Sequence, residues 1–375
     1  MTDRRLAASL ALFWAFLAAC LAPVRAHASC GAESCPLDNS SFGGARRWSL
    51  DVSYQHTEQD RLRTGTQPGD ASGFLVNGGE VLTRSQTTMT KLTVPLPWRA
   101  QISASLPVVD RLHRHVTAEG LPQPELREWQ YHGLGDLTVL TSWPAIPRRF
   151  YSAPVSVSLL AGVKLPTGRQ SVPNIDGEEL EPHARPGSGS YDFLAGMSLV
   201  QTLALPSFAG PGHSTSLFAS ALYMYTGRGT EGWRLGRGLD ANVGASHPIW
   251  HRVSLIAQVN TRIHAKDQQD VAAPVAGGHQ HLGASLGDPM NTGRAADPMN
   301  GVPSGGPTLL HETSVGGIDE NTGGTSVFAS PGLRLEALPG VTLSGYAQIP
   351  LYQRVNGTQL VSGTQFYFGA TYRLR

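Results

Sequence analysis

The stretch QFYFGATYRLR, residues 365–375, alternates strictly between two kinds of side chain. One set is apolar: Phe366, Phe368, Ala370, Tyr372 and Leu374. The other set is mostly polar or small: Gln365, Tyr367, Gly369, Thr371 and Arg373. Because successive side chains of a β-strand point to opposite faces of its sheet, this period of two predicts a strand with one apolar face.

Eleven further runs with this period precede it, from Trp48 onward. The clearest are residues 48–55, 155–165 and 253–263. The others centre on residues 88–94, 101–106, 137–143, 191–203, 215–225, 239–247, 325–335 and 341–349. Most runs have about 9 to 13 residues, close to the ~9–11 that a tilted strand needs to cross a membrane. Pro95, Pro107 and Pro331 bound or interrupt the second, third and tenth runs, which makes these weaker strands.

The connections between the runs alternate in length. The longer ones are residues 57–82, 107–132, 167–190, 226–238, 265–324 and 350–363, and the shorter ones are 95–100, 144–154, 204–214, 248–252 and 337–340. In outer-membrane barrels, short turns face the periplasm and long loops face outward. The chain is therefore predicted to be all-β: a transmembrane antiparallel β-barrel of about 12 strands with long extracellular loops.

A soluble protein with two packed sheets would show the same period of two. It would explain neither the alternation of loop lengths nor the aromatic residues at the ends of the runs. These are Trp48, Tyr54, Trp98, Trp143, Tyr191, Tyr225, Phe366 and Tyr372. Such positions are typical of the two aromatic girdles that flank the lipid-facing band of a membrane barrel.

The first residues predict export. Arg4 and Arg5 precede an apolar stretch over residues 6–21, and Ala26-His27-Ala28 fits a signal-peptidase site. This organisation predicts a signal peptide (1–28), a periplasmic segment placed to act as a plug (29–47) and the barrel (48–375), in the outer membrane of a Gram-negative cell. In the alternative reading, residues 17–20 are a lipoprotein signal that puts a lipid on Cys20.

Two cysteines remain in the mature chain if the leader is removed after Ala28. Cys30 and Cys35 are separated by four residues, which in an exported protein predicts a small disulfide loop. A metal site with two thiolates is the alternative, but the sequence offers these two ligands no evident partners.

Several segments resemble the outer-membrane transporter family associated with the meta-pathway of phenol degradation. They are His132–Leu137 (HGLGDL), Gly162–Gly168 (GVKLPTG), Pro186–Asp192 (PGSGSYD), Asn321–Thr325 with Ser330–Arg334, and Gln348–Gly357 (QIPLYQRVNG). The resemblance implies a channel or transporter for small hydrophobic or aromatic solutes. It also implies outer-membrane lipid and the barrel-assembly machinery as partners. Barrels of this kind usually end on an aromatic residue, whereas this chain ends Tyr372-Arg373-Leu374-Arg375.

If the polar faces of the strands point inward, seven charged side chains enter the lumen. They are Asp51, Asp136, Lys164, Asp192, Asp240, Arg262 and Arg373. Charges on an inner wall can select solutes, or they can pair with one another and brace the barrel, and both roles can coexist. Twelve strands lie between the eight that side chains fill and the roughly 16 of an open porin, so a narrow or plugged passage is predicted.

The 265–324 connection contains His279, His281 and His311 together with Met290 and Met299, a set that could capture a soft cation. It also contains the duplication DPMN at 288–291 and 297–300, which favours a Gly/Pro-rich surface loop without a metal site. We therefore predict no metal.

Composition and motifs exclude several other functions. A net charge of +1 provides no field for nucleic acid. The chain has no His-Glu-x-x-His and no phosphate loop, and neither an enzyme nor a cofactor is predicted. The sequence favours a passive channel for small solutes. The alternative is an outer-membrane or lipid-anchored β protein whose outer loops bind a ligand or metal without transport. The oligomeric state is not predicted.

Overall fold

The structure is a computed structural model that describes residues 47–70, 79–117, 123–145, 155–203, 214–269 and 318–374. It is a closed antiparallel barrel of twelve strands. The first six are β1 (Ser49–Thr64), β2 (Gly79–Pro95), β3 (Gln101–Thr117), β4 (Glu125–Leu134 and Leu137–Pro144), β5 (Val155–Leu165) and β6 (Asp192–Leu203). The others are β7 (Thr215–Tyr225), β8 (Gly238–Trp250), β9 (Val253–His264), β10 (Gly324–Leu338), β11 (Val341–Val355) and β12 (Thr358–Ser362 and Gln365–Arg373).

Each strand pairs with the next one along the chain, and β12 closes the barrel on β1. The register of this closure runs from Ser49 opposite Arg373 to His56 opposite Phe366. We call the end of the barrel that carries Ser49 and Arg373 the terminal rim and the opposite end the loop rim. The four longest connections, residues 65–78, 166–191, 226–237 and 265–323, all lie at the loop rim, as the sequence predicts.

The outer surface of the barrel is apolar. Leu50, Val52, Phe366 and Phe368 of the closing strands all point outward and are exposed. All eight aromatic residues predicted at the ends of the runs are exposed as well, and Trp98 stacks on Trp143 with ring centroids 6.1 Å apart. An apolar surface of this extent suits lipid and would be an aggregation hazard in water.

Several strands are longer at the loop rim than the alternation predicts. Much of the predicted 57–82 and 107–132 loops is strand, since β1 reaches Thr64 and β3 reaches Thr117. The predicted 350–363 connection was also wrong in its bounds, because only Asn356 and Gly357 separate β11 from β12. The extensions carry polar residues on both faces, so they lack the apolar alternation on which the prediction depends.

Pro95 is the last residue of β2, whereas Pro107 and Pro331 lie inside the strands that they were expected to weaken. Pro331 lies within β10, opposite Ala257. Pro107 lies within β3 beside the interruption of β4, and the N–H of Gly135 donates to its carbonyl at 2.9 Å. The missing N–H of Pro107 therefore coincides with a gap in the ladder of hydrogen bonds.

Among the described residues, no helix is long and apolar enough to cross a membrane. The predicted signal peptide, Cys20, the Cys30–Cys35 pair and residues 29–46 of the predicted plug lie outside the described residues. The same holds for His279, His281 and His311 of the 265–324 connection.

Candidate functional site

Residues 166–191, which connect β5 to β6, fold inside the barrel; we call them the inner loop. Val172, Leu180 and Ala184 of this loop form a buried cluster with Val109, Trp129 and Tyr131. The last three side chains belong to the inner faces of β3 and β4. The inner loop therefore fills the part of the lumen nearest the loop rim with an apolar core of its own.

Polar side chains of the wall hold the backbone of the inner loop. Tyr131 Oη and Arg111 Nη1 both donate to the carbonyl of Ala184, at 2.5 and 2.6 Å. Trp129 Nε1 donates to the carbonyl of Glu178 at 2.9 Å. These buried hydrogen bonds fix the loop in one position against the wall.

Asp136, predicted to be a lumenal charge, lies at the interruption of β4 and ties down both ends of the inner loop. Its Oδ1 accepts a hydrogen bond from the Gly168 N–H at 2.9 Å. Its Oδ2 accepts from the N–H and the Oγ of Ser188, at 2.9 and 2.8 Å. Asp136 thus serves as an anchor for the loop as well as a charge facing the lumen.

Three of the predicted lumenal charges form one ion cluster. Lys164 Nζ lies 2.5 Å from Asp192 Oδ2 and 3.6 Å from Asp136 Oδ2. Asp192 is fully buried, and its Oδ1 accepts from Ser190 Oγ at 2.7 Å and from the Gly227 N–H at 3.0 Å. The sequence left open whether the lumenal charges select solutes or pair with one another and brace the barrel. These three residues do pair with one another.

The first three of the segments that carry the sequence resemblance meet around this ion cluster. HGLGDL contributes Asp136, GVKLPTG contributes Lys164 and Gly168, and PGSGSYD contributes Gly187 and Asp192. A Cβ on Gly187 would lie 2.5 Å from the backbone carbon of Gly168, so no larger residue fits without displacement. The motifs thus encode the attachment of the inner loop to the wall.

Below the inner loop, towards the terminal rim, lies a cavity of about 370 Å³. Asp51, Asp136, Lys164 and Asp240, four of the seven charges assigned to the lumen, line it. Its other lining side chains are mostly small and polar or apolar, including Ser103, Ser105, Thr138, Met89, Leu140 and Tyr346. A solute in this cavity would meet mixed polar and apolar contacts.

The two remaining predicted charges lie elsewhere. Arg262 lines a smaller cavity of about 80 Å³, where its guanidinium contacts Gln348 at 3.4 Å and lies 5.5 Å from the ring centre of Phe328. Arg373 is exposed at the end of β12, on the terminal rim.

Two inward cations were not predicted from the sequence. Lys91 lies 4.0 Å from Asp51, whose Oδ1 also accepts from Thr371 Oγ1 at 2.5 Å. Arg111 lines both cavities. Lys91 lies in the second run, and its inward position could have been predicted from the alternation of that run. Arg111 lies in a stretch with charged residues on both faces, so alternation does not show which face is the inner one.

A further cluster of ionisable groups joins the inner loop to the wall near the loop rim. His183 Nε2 of the loop lies 3.2 Å from Glu80 Oε1 of β2 and 3.3 Å from Glu181 Oε2. Burial lowers the pKa of His183, but the hydrogen bond with Glu80 and the charges of Glu181 and Glu80 outweigh burial and raise this pKa to about 10. His183 is therefore a cation at neutral pH.

The buried imidazole of His113 completes this cluster. Its Nδ1 is hydrogen-bonded to Thr83 Oγ1 at 2.8 Å, while its Nε2 has no hydrogen-bond partner among the described residues. Glu80, His113 and Glu181 each offer one ligand atom, and these three atoms lie within 4.8 Å of one another. The sequence by itself gives these residues no common role, because the wall and loop residues are distant in the chain and only the inner loop brings them together.

Among known proteins, the matches to this chain are solved structures with a similar fold. Neither a protein-family model nor a curated protein sequence matches this chain. An outer membrane channel from Pseudomonas putida F1 has a TM-score of 0.53 at 11% identity, over 91% of this chain and all (100%) of that chain. The chain is therefore a β-barrel similar to those of bacterial outer-membrane proteins, and the family suggested by its motifs stays a prediction.

Two further structures align with lower TM-scores. The transport unit of the autotransporter AIDA-I from Escherichia coli gives 0.43 at 8% identity, over 91% of this chain and 94% of that chain. The CymD monoaromatic hydrocarbon channel gives 0.38 at 8% identity, over 96% of this chain and 97% of that chain. Both lie below 0.5, so the likeness in fold rests on the Pseudomonas channel.

Proposed function

We propose that this protein is a passive outer-membrane channel for small solutes, with a passage that the inner loop narrows. The observation that carries the proposal is the combination of an apolar outer surface with a polar lumen that still encloses a cavity of about 370 Å³. A barrel that served only as an anchor would have no need of a lumenal cavity lined by charged and hydroxyl side chains.

Small hydrophobic or aromatic compounds are the proposed solute class. The sequence resemblance implies this class, and the mixed lining of the cavity supports it. Met89, Leu140 and Tyr346 provide apolar contacts beside Ser103 and Thr138. Ligand sites for such compounds typically combine an apolar lining with a few polar groups that fix orientation.

Solute flux into proteoliposomes tests the proposal. The full chain is reconstituted into vesicles, and entry of a small phenol is compared with entry of a disaccharide. We expect phenol entry to exceed that of protein-free vesicles and the disaccharide to be excluded. Because phenols also cross lipid unaided, the rate must rise with the amount of folded protein and must not rise with heat-denatured protein.

Absence of any protein-dependent flux would reject the channel and leave the alternative, a barrel whose loops bind a ligand without transport. Entry of the disaccharide at a rate similar to that of phenol would keep the channel but reject the solute class. The two parts of the proposal are therefore tested separately.

A further inference from the structure

We propose that Glu80, His113, Glu181 and His183 form a binding site for a divalent transition-metal ion, which would join the inner loop to the barrel wall. Two ligands come from the wall strands β2 and β3, and two come from the inner loop. His183 also lines the 370 Å³ cavity, and the site does not include the histidines of the 265–324 connection.

The first argument is the spacing of the ligand atoms. A tetrahedral Zn²⁺ ion lies about 2.0–2.1 Å from its nitrogen and oxygen ligands, which places those ligands roughly 3.3 Å from one another. His183 Nε2 lies 3.2 Å from Glu80 Oε1 and 3.3 Å from Glu181 Oε2. Glu80, His113 and Glu181 each offer one ligand atom, and these three atoms lie within 4.8 Å of one another. Side-chain movements of up to about 1.5 Å would bring them to tetrahedral spacing.

The second argument is the state of His113. Only 1% of this residue is exposed, and its Nε2 is buried without a hydrogen-bond partner among the described residues. A buried polar atom left in this way is costly. The bond from its Nδ1 to Thr83 Oγ1, at 2.8 Å, is the outer contact that typically orients a metal-binding imidazole and leaves Nε2 for the ion.

The third argument is charge. Two half-buried carboxylates, those of Glu80 and Glu181, lie 3.2 and 3.3 Å from the same nitrogen, Nε2 of His183. Imidazole and carboxylate ligands together suit Zn²⁺ and the neighbouring divalent transition metals better than Ca²⁺ or Mg²⁺, which prefer all-oxygen sites.

Titration of the full-length, EDTA-treated barrel in detergent with Zn²⁺ tests the site. We expect one ion per chain, and a dissociation constant at least tenfold weaker in Glu80→Gln and in Glu181→Gln. Two controls should bind as the wild type does: His132→Ala, which removes an exposed histidine of β4, and the triple variant His279→Ala/His281→Ala/His311→Ala. Heat-dependent gel mobility verifies that every variant is a folded barrel.

A second readout tests the link between the loop and the wall. At a Zn²⁺ concentration 100 times the dissociation constant, cleavage of the inner loop by trypsin at Arg169 should slow about 100-fold in the wild type. At the same Zn²⁺ concentration, the Glu181→Gln variant should be protected no more than about 10-fold, because it binds at least tenfold more weakly. Absence of Zn²⁺ binding by the wild type, or loss of binding in the triple histidine variant with retention in Glu80→Gln and Glu181→Gln, would overturn the proposal. Neither readout depends on whether the barrel conducts solutes.

Discussion

Lys164 neutralises buried negative charge in the lumen of this barrel. It is the cation beside two carboxylates, those of Asp192 and Asp136, and Asp192 is fully buried. Coulomb attraction at short range in a poorly solvated lumen is strong, but removing one partner leaves the other charge uncompensated. The stability of the cluster therefore depends on keeping all three groups.

We expect Lys164→Met to lower the free energy of unfolding by about 3 kcal/mol, because it leaves a buried carboxylate without its cation. Urea unfolding of the barrel in lipid vesicles, followed by tryptophan fluorescence, measures the change. Asp192→Asn in the same chain should restore part of the loss. Lys266→Met removes a more exposed ion pair with Glu320 and should cost no more than about 1 kcal/mol. Equal losses in the two lysine variants would contradict this account.

Arg262 is the cleaner test of selectivity, since its replacement leaves the ion cluster intact. It lines the smaller cavity, and its register partner across to β8 is Asp240. If the barrel conducts ions, Arg262→Gln should shift the reversal potential in a salt gradient towards cation preference. Arg114→Gln, on the outer face of β3 beside Glu128, should leave it unchanged. An unchanged potential for Arg262→Gln would remove this residue from the selectivity-determining set.

At the scale of the element, the two ends of the inner loop pack backbone against backbone, at Gly168 and Gly187. A Cβ on Gly187 would lie 2.5 Å from the carbonyl carbon and oxygen of Gly168, whereas a Cβ on Gly133 would meet nothing nearer than 3.8 Å. Backbone atoms cannot move aside as a flexible side chain can. The two glycines therefore differ in what they tolerate, although both belong to conspicuous Gly-rich motifs.

Gly187→Ala should loosen the inner loop by about 1–3 kcal/mol, the usual cost of overpacking. A loss of about 1.4 kcal/mol would raise the rate of tryptic cleavage at Arg169 roughly tenfold. Gly133→Ala, the matched control, should be cleaved as slowly as the wild type. Similar rates for both variants would show that the loop is not held by this contact.

The inner loop should also limit conductance, because its buried side chains occupy the lumen near the loop rim. Replacing residues 170–185 with a short Gly-Ser linker keeps the Gly168 and Ser188 bonds to Asp136 and removes Val172, Leu180 and Ala184. We expect single-channel conductance in planar bilayers to rise severalfold. No change would mean that the narrowest part of the passage lies elsewhere.

For the whole molecule, closure on β1 gives each of the twelve described strands a partner on both sides. In the extensions at the loop rim, Glu125–Leu134 pairs only with β3 and Thr358–Ser362 only with β1. A closed barrel of this kind should resist detergent at room temperature. We expect the unheated protein to migrate ahead of the boiled protein on a detergent gel, with the boiled sample at the full mature mass. Identical mobility, or recovery of the chain in the soluble periplasm, would contradict a membrane barrel.

The sequence alone determined the strand number, the inside–outside alternation and the end of the barrel at which the long connections lie. Lipid imposes these features locally, since every lipid-facing position must be apolar and every second residue faces lipid. The alternation located Asp51, Lys164 and Asp240 on the inner wall for the same reason. It failed in the strand extensions, as at Arg111, because lipid touches neither face there.

Only the tertiary structure decided what fills the lumen. The plug predicted from residues 29–47 lies outside the described residues apart from Arg47 and stays a prediction. The described part of the lumen contains the inner loop, which the sequence did not predict to enter it. The contacts that hold this loop join Asp136 to Gly168 and Ser188, and His183 to Glu80, across separations of 32 to 103 positions. No local periodicity records such contacts, because they depend on which part of the chain folds back into the barrel.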